Sequence, residues 1–178
     1  MCKPKTTELR CLLSHIRVRP TALIIKNNSI LLVEYCENGT HYNLPGGGAE
    51  PGETLIESIK REAYEEACIE IEVGPVALIY EFAPHKQSGD YGSNAQHGLN
   101  IIFECTIKEG AIPRLPDKPD PHQTAVKWVD LNELDSIILF PNIKDEIKEY
   151  VKTKRNIDII EDYKLKPVLE ENYMWLNL

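Results

Sequence analysis

The chain has 178 residues, of which 42% are apolar, and this is enough for one domain with a buried core. Acidic residues outnumber basic residues by 28 to 20, so the formal net charge is −8. This charge argues against a surface that mainly binds nucleic-acid phosphates or anionic membranes. The first forty residues contain no apolar run longer than four, so we expect no membrane span, no secretory signal and a cytoplasmic location.

The first elements predicted along the chain are a short helix and a β-hairpin. Residues 7–15 carry apolar positions at helical spacing. Two runs rich in β-branched and apolar residues follow at 21–25 and 30–34, separated by residues 26–29. Two asparagines in that separating segment tolerate the left-handed backbone of a tight turn, which predicts a hairpin.

A glycine-rich loop leads into a predicted helix. Residues 45–52 contain four glycines and two prolines, which exclude both a helix and a regular strand. Thr54 and Glu57 have the spacing of a capping box, which marks the start of a helix. The helix is predicted over residues 55–67, with one apolar face formed by Leu55, Ile56, Ile59, Ala63 and Ala67.

The second half of the chain predicts more strands and a second helix. Strands are predicted at 69–82, 97–108 and 124–129, the last of these being the final strand. Residues 83–96, which are polar and contain glycine, form a candidate substrate loop. A proline-rich connection covers residues 110–122, and a helix is predicted from 141 to about 154.

We divide the chain into an N-terminal arm (residues 1–16), a domain (17–155) and a C-terminal tail (156–178) for which no structure is predicted. The tail ends in a partly apolar run at 173–178 that includes Trp175. Such a run predicts either a contact in a homodimer or packing back onto the core.

Carboxylates are concentrated around the predicted helix. Six glutamates and two basic residues fall within residues 47–69, which leaves a local charge of −4. Glu62, Glu65 and Glu66 are spaced i, i+3 and i+4, so they project from one arc of the helix and repel one another. Carboxylate oxygens suit a hard divalent cation such as Mg²⁺ or Mn²⁺, and this arc is therefore a candidate metal site. The alternative is a solvated acidic helix face.

The loop and helix together follow the pattern of a known family. Gly47, five residues, Glu53, seven residues and then the run 61–69 resemble the Nudix box, Gly-x5-Glu-x7-Arg-Glu-U-x-Glu-Glu-x-Gly-U, where U is aliphatic. The resemblance covers roughly residues 18–155. It implies an α/β fold, an α/β/α sandwich around a mixed β-sheet. It also implies hydrolysis of a nucleoside diphosphate linked to another group, as in ADP-ribose, a nucleotide sugar or a nucleoside triphosphate.

The resemblance also assigns roles to residues of the box. It implies that Mg²⁺, or alternatively Mn²⁺, is bound by the carbonyl oxygen of Gly47 and by the carboxylates of Glu62, Glu65 and Glu66. It implies that Arg61 holds the glutamates in place, paired with Glu53. We therefore predict a catalytic set that consists of Glu53, Arg61, Glu65 and Glu66.

The general base and the substrate contacts are less closely defined. Glu65 or Glu66 can serve as the base, and the candidates outside the box are His97, Glu104, Asp120 and His122. Candidate substrate-binding residues are Arg17 and Arg19 for a phosphate or ribose, Tyr42 for stacking on a base, and Pro84. Pro84 lies 15 residues beyond Ile69, the last residue of the box, and a proline at this distance resembles a marker of ADP-ribose pyrophosphatases.

Two functions from different classes fit these patterns best. The first is an enzyme that hydrolyses a small nucleotide and binds neither nucleic acid nor membranes. The second is a non-catalytic module that senses a nucleotide on the same fold. The three repelling carboxylates favour the enzyme, because a sensor does not need them. A third option is an isomerase or a decapping-type RNA hydrolase, and the net charge of −8 argues against RNA.

Cys68 departs from the Nudix pattern, since it stands where the family has a glycine. A glycine at this point commonly adopts a left-handed backbone that caps the helix. The same conformation costs a cysteine about 1 kcal/mol. We therefore expect the chain to leave the helix by a slightly different path.

Overall fold

The predicted hairpin is present in the structure. The structure is a computed structural model, which describes residues 16–88, 95–155, 157, 159–161 and 165–166. Strand β1 (Arg17–Lys26) and strand β2 (Ser29–Cys36) are antiparallel, with Lys26 opposite Ser29. Asn27 and Asn28 have φ values of 50° and 61°, as a two-residue turn of the I′ type requires.

Six further strands complete a mixed sheet. They are β3 (Thr40–Asn43), β4 (Ile71–Phe82), β5 (Gly98–Ile107), β6 (Gln123–Asp130), β7 (Leu139–Phe140) and β8 (Ile159–Glu161). The strand order is β7-β3-β2-β1-β5-β4-β8, and β6 pairs with β2. The pairs β1/β5, β3/β7 and β4/β8 are parallel, and the pairs β1/β2, β2/β3, β2/β6 and β4/β5 are antiparallel. The prediction that β6 is the last strand is wrong, because β7 and β8 follow it.

Helix α1 (Leu55–Ala67) begins and ends at the predicted residues. The Thr54 hydroxyl accepts from the backbone N–H of Glu57 at 3.2 Å, and the Glu57 carboxylate accepts from the Thr54 N–H at 2.8 Å. These two bonds confirm the capping box. The predicted apolar face is wrong at Ile56, which is 39% exposed, because the buried contact of the helix with the sheet begins one turn later, at Ile59.

The two helices cover opposite faces of the sheet. On one face, Ile59 and Ala63 of α1 pack in a core cluster with β1, β2 and β5. On the other face, Ile147 and Tyr150 of helix α2 (Lys144–Thr153) pack in a second cluster with β1, β2 and β4. The predicted α/β/α sandwich is therefore present, and it positions the glutamates of α1 against the starts of β1 and β6.

Cys68 ends α1 in the left-handed conformation, with φ 54° and ψ 35°. Its N–H donates to the carbonyl oxygen of Tyr64 at 2.9 Å. The expectation of a different path out of the helix is therefore wrong. The next residue, Ile69, is completely buried, and this burial fixes the direction that the chain takes after the helix.

Three sequence predictions lie wholly or partly outside the described residues: the helix at 7–15, the substrate loop at 83–96, of which 89–94 are not described, and the apolar end of the tail at 173–178. Within the tail, the structure places β8 beside β4. None of the helices in the described parts of the chain has the length and apolarity needed to span a bilayer.

Candidate metal and phosphate site

The guanidinium group of Arg61 joins the carboxylates at the centre of the site. It donates to the two carboxylate oxygens of Glu53 at 2.8 and 2.9 Å, to Glu62 at 2.8 Å and to Glu65 at 2.9 Å. It also donates to the carbonyl oxygen of Gly48 at 3.2 Å. The expected ion pair between Arg61 and Glu53 is present, and hydrogen bonds, chiefly those from Arg61, lower the pKa of Glu53 to about 2.

Glu66 has a different environment, since it is only 7% exposed. Its Oε2 accepts from the backbone N–H of Gly46 at 2.8 Å, and its Oε1 accepts from the hydroxyl of Tyr35 at 3.1 Å. Its main-chain carbonyl accepts from Nε2 of Gln123 at 2.7 Å. Burial raises the pKa of Glu66 to about 7; the hydrogen bond from Gly46 opposes this rise, and the charge of Glu62 adds to it.

Tyr35 and Gln123 are site residues that the sequence analysis missed. They face each other across β2 and β6, and both lie outside the Nudix box in sequence. A tyrosine at the end of a strand and a glutamine at the start of another carry no local signal of such a role. Burial, and after it the charge of Glu66, raises the pKa of the Tyr35 phenol, so this group remains a hydrogen-bond donor.

Gly47 lies against the first glutamate of the cluster. A Cβ atom at Gly47 would overlap the carboxylate of Glu62. Only a glycine therefore allows the loop backbone to approach this close to the helix. The structure thus brings together two of the residues predicted to bind the metal.

Arg17 and Arg19 both lie at the same glycine loop. Arg19 donates to the carbonyl oxygen of Gly46 at 3.0 Å, and a Cβ atom at Gly48 would lie 2.7 Å from Nε of Arg17. Burial, and then the charge of Arg17, lowers the pKa of Arg19, while Glu66 acts in the opposite direction. In the described part of the chain, neither guanidinium lies within ion-pair distance of a carboxylate. Two adjacent cations of this kind suit an anionic group of a ligand.

Tyr42 is not brought to the glutamates. Its hydroxyl donates to Glu34 at 2.7 Å, and the two residues are opposite each other on β3 and β2. Because successive residues of a strand face opposite sides, Glu34 and Tyr42 face away from the side on which Tyr35 contacts Glu66. Pro84, the remaining predicted contact, begins a 3₁₀ turn (Pro84–Lys86) directly after β4.

Asp120 is the candidate base that is linked to Glu66 through Gln123. Its N–H donates to Oε1 of Gln123 at 3.1 Å, while Nε2 of Gln123 donates to the carbonyl of Glu66. The charge of Asp120 contributes to the raised pKa of Glu66. Gln123 thus links the backbone of this aspartate to the end of helix α1 that carries Glu66.

The other candidate bases have partners elsewhere. Glu104 accepts from the hydroxyl of Tyr150 at 2.7 Å on the α2 side of the sheet. Nε2 of His97 lies 2.7 Å from a carboxylate oxygen of Glu81, at the start of β5. His122 lies 3.7 Å from a surface glutamate. Of these three residues, Glu104 is separated from α1 by the sheet.

The oxygen donors of the box fit a hard divalent cation in their chemistry. Across the residues that the structure describes, however, no three acidic, His or Cys side chains are arranged to hold a metal ion. Glu62 and Glu65 are turned toward Arg61, and Glu66 toward Gly46. If Glu62, Glu65 and Glu66 bound one cation together, Glu62 and Glu65 would give up hydrogen bonds with Arg61 for contacts with the ion.

Known proteins share both the sequence pattern and the fold. The family model described as NUDIX domain matches residues 16–152. An RNA pyrophosphohydrolase from Bartonella clarridgeiae is 32% identical over 106 residues, which are 55% of this chain and 61% of that protein. An ADP-ribose pyrophosphatase from Methanocaldococcus jannaschii is 27% identical over 142 residues, which are 79% of this chain and 76% of that protein. The aligned part thus spans about three fifths of the first relative.

A solved NUDIX hydrolase from Nitrosomonas europaea has a similar fold, with a TM-score of 0.63 and 24% identity. The match covers 79% of this chain and 92% of that one. This likeness confirms the predicted mixed-sheet fold. Because the family model covers well over half of the sequence, the chain belongs to the NUDIX domain family.

Proposed function

We propose that this chain hydrolyses a diphosphate bond in a nucleoside diphosphate linked to another group. The observation that carries this proposal is the arrangement around Arg61, which gathers Glu53, Glu62 and Glu65 beside the buried Glu66. Such a concentration of carboxylates, held next to a glycine loop and two arginines, suits a cation and a polyphosphate together.

The metal, Mg²⁺ or Mn²⁺, would be held by Glu62, Glu65, Glu66 and the carbonyl of Gly47. When bound, it would supply a charge that polarises the phosphoryl group and lowers the pKa of the attacking water. Arg61 offsets the repulsion among the glutamates and keeps them on one side of α1. The proton of the water requires a base near the ligands, and Asp120 and Glu65 are the two residues that we propose for this role.

Arg17 and Arg19 are proposed to bind a phosphate of the substrate. Both guanidinium groups lie at the glycine loop, and the described residues provide no carboxylate partner for either. A charge-assisted bond to a phosphate would meet the donors that the protein leaves available. This contact is expected to favour substrates that carry a second phosphate next to the one that is attacked.

Within this class, ADP-ribose is the substrate that we propose to test first. The relative named ADP-ribose pyrophosphatase aligns with most of the chain, and a proline at position 84 is consistent with it. The relative named RNA pyrophosphohydrolase makes RNA with a 5′-triphosphate the second candidate. The net charge of −8 argues against extended contact with an RNA chain.

The test is product analysis with a panel of substrates in the presence of Mg²⁺. The panel contains ADP-ribose, a nucleotide sugar, a nucleoside triphosphate and a 5′-triphosphorylated RNA, and the Glu66→Gln variant is assayed in parallel. We expect cleavage of one panel member by the wild type and a kcat at least ~10²-fold lower in the variant, the scale for loss of a metal ligand or base.

Either failure of this test has a defined meaning. Near-normal turnover by Glu66→Gln would remove Glu66 from the catalytic set. If no member is cleaved while one of them raises the melting temperature, the chain is a nucleotide-sensing module, and the enzyme proposal is wrong.

A further inference from the structure

Glu66 is held at three points by residues from three different elements. The N–H of Gly46 in the glycine loop and the hydroxyl of Tyr35 at the end of β2 each donate to one carboxylate oxygen. Gln123, at the start of β6, donates to the main-chain carbonyl, which is one of those that the end of α1 leaves without a helical partner. Among the described residues, the hydrogen bonds to the carboxylates of Glu62 and Glu65 come, by contrast, from one side chain, that of Arg61.

The ring of Tyr35 is itself fixed by its neighbours. It stacks on the ring of His41, with centroids 5.7 Å apart and an angle of 12° between the planes. Phe140 packs edge-on against His41, with centroids 5.3 Å apart and an angle of 72°. The phenol that reaches Glu66 thus belongs to a row of three rings supplied by β2, β3 and β7.

An irregularity in the sheet brings Tyr35 and Gln123 together. Glu34 is opposite Ala125 in the β2/β6 register, so a regular ladder would place Tyr35 opposite Thr124. The register shifts between Glu34 and Tyr35, and Tyr35 instead faces Gln123. Such bulges re-aim side chains next to functional sites. Here the shift makes cross-strand partners of the two side chains that contact Glu66.

We infer that Tyr35 is a positioning residue for Glu66, and that it holds this carboxylate in the orientation in which it binds a divalent cation. This inference rests on the proposed function, in which Glu66 is a metal ligand. A glutamate loses side-chain entropy when it binds an ion, and a side chain that is already fixed loses less. Partners of this kind contribute about 10- to 100-fold to metal affinity or activity.

The first part of the test measures Mn²⁺ binding to the Tyr35→Phe variant. The electron paramagnetic resonance signal of free Mn²⁺ reports how much of the metal is bound. We expect the dissociation constant to rise at least about tenfold, and kcat on the cleaved substrate to fall while KM stays within about twofold. Tyr150→Phe is the matched control. It also removes one phenol–carboxylate hydrogen bond, 2.7 Å long, but on the α2 side of the sheet, and we expect it to bind Mn²⁺ as the wild type does.

The second part needs no metal. The N–H of Gly46 shares the carboxylate of Glu66 with Tyr35, so its hydrogen exchange reports how well Glu66 is held. We expect exchange at Gly46 to be several-fold faster in Tyr35→Phe and unchanged in Tyr150→Phe. Circular dichroism and the melting temperature are measured to check that both variants are folded.

The outcomes separate this inference from the proposed function. An unchanged Gly46 exchange rate in Tyr35→Phe would overturn the inference, and so would faster exchange combined with unchanged Mn²⁺ affinity. If the wild-type chain itself binds no Mn²⁺ and cleaves no panel member, the proposed function fails. In that case the Gly46 exchange rate still decides whether Tyr35 fixes Glu66.

Discussion

The backbone of Gly47 and the carboxylate of Glu62 are in contact, with no space between them for a methyl group. The loop contributes a backbone oxygen donor and the helix a carboxylate, and both are proposed ligands of one cation. Their contact across fifteen positions of sequence shows how the glycine loop and α1 form one site.

We expect Gly47→Ala to lower kcat at least about tenfold, because the new Cβ displaces Glu62 from its place. The fold should be retained, since the side chain of Glu62 can rotate away. Steady-state kinetics and the melting temperature measure the two effects. Gly98→Ala is the control, because a Cβ there would meet only the carbonyl oxygen of Arg17, at 4.0 Å. Normal turnover by Gly47→Ala would show that the loop need not approach Glu62 this closely.

Arg61→Lys should be far less active than the wild type, although the charge is kept. A lysine ammonium cannot reproduce the planar set of donors that contacts Glu53, Glu62 and Glu65 together. We expect kcat to fall at least about tenfold and the melting temperature to fall as the glutamates repel. Lys60→Ala changes the neighbouring exposed cation and serves as the control. Wild-type kinetics in Arg61→Lys would indicate that charge alone is sufficient.

Cys68→Gly is expected to stabilise the protein. The left-handed backbone at φ 54° costs a residue with a Cβ about 1 kcal/mol relative to glycine, which corresponds to a rise of about 2–4 °C in Tm. Differential scanning calorimetry of Cys68→Gly and Cys68→Ala separates the backbone effect from the loss of the thiol. A lower Tm in Cys68→Gly than in Cys68→Ala would contradict this prediction.

Glu34 predicts a pH dependence of stability. Its burial acts to raise its pKa, but hydrogen bonds from Lys127, Tyr42 and Thr124 outweigh this effect, and the pKa is lower than its ordinary value of 4.5. At pH values near 4.5 and somewhat below, Glu34 is therefore more often protonated in the unfolded chain than in the folded chain. The stability that Glu34 contributes is complete above pH 4.5 and is lost as the pH falls through the folded pKa.

Accordingly, Glu34→Gln should lower Tm at pH 7, and this difference should shrink below pH 4.5. Thermal unfolding of the wild type and of Glu34→Gln between pH 7 and pH 3 measures this difference in Tm. The exposed Glu109→Gln, which changes the net charge equally, is the control. A difference that is constant over this pH range would show that the Glu34 carboxylate is not selectively stabilised by folding.

Local patterns predicted the elements whose signals lie within a few residues. The asparagine turn predicted the hairpin, and the capping box at Thr54 predicted the start of α1. The path of the chain at Cys68 was predicted wrongly because a local cost was weighed without the burial of Ile69, which the rest of the fold imposes. Strands β7 and β8 are two and three residues long and have no periodicity to detect.

The glutamates and Arg61 were predictable because they share one segment, and Arg17 and Arg19, candidates from outside it, also lie at the glycine loop. The spacing of the Nudix box gave the glutamates and their arginine. Tyr35 and Gln123 could not be found, because their contact with Glu66 depends on a shift in the β2/β6 register. Tyr42 was predicted from its aromatic ring. Alternate residues of a strand point to opposite faces of the sheet, and the sequence alone did not show which face Tyr42 occupies.

Strand β8 covers one edge of the sheet, so removing the C-terminal residues would change that edge. It lies in parallel beside β4, from Ile79 opposite Ile159 to Glu81 opposite Glu161. A chain cut after residue 155, just beyond α2, would lose this strand and expose the outer edge of β4. Unpaired N–H and C=O groups along such an edge recruit strands from other molecules. A truncated form that keeps every residue of the proposed site would thus be prone to aggregate.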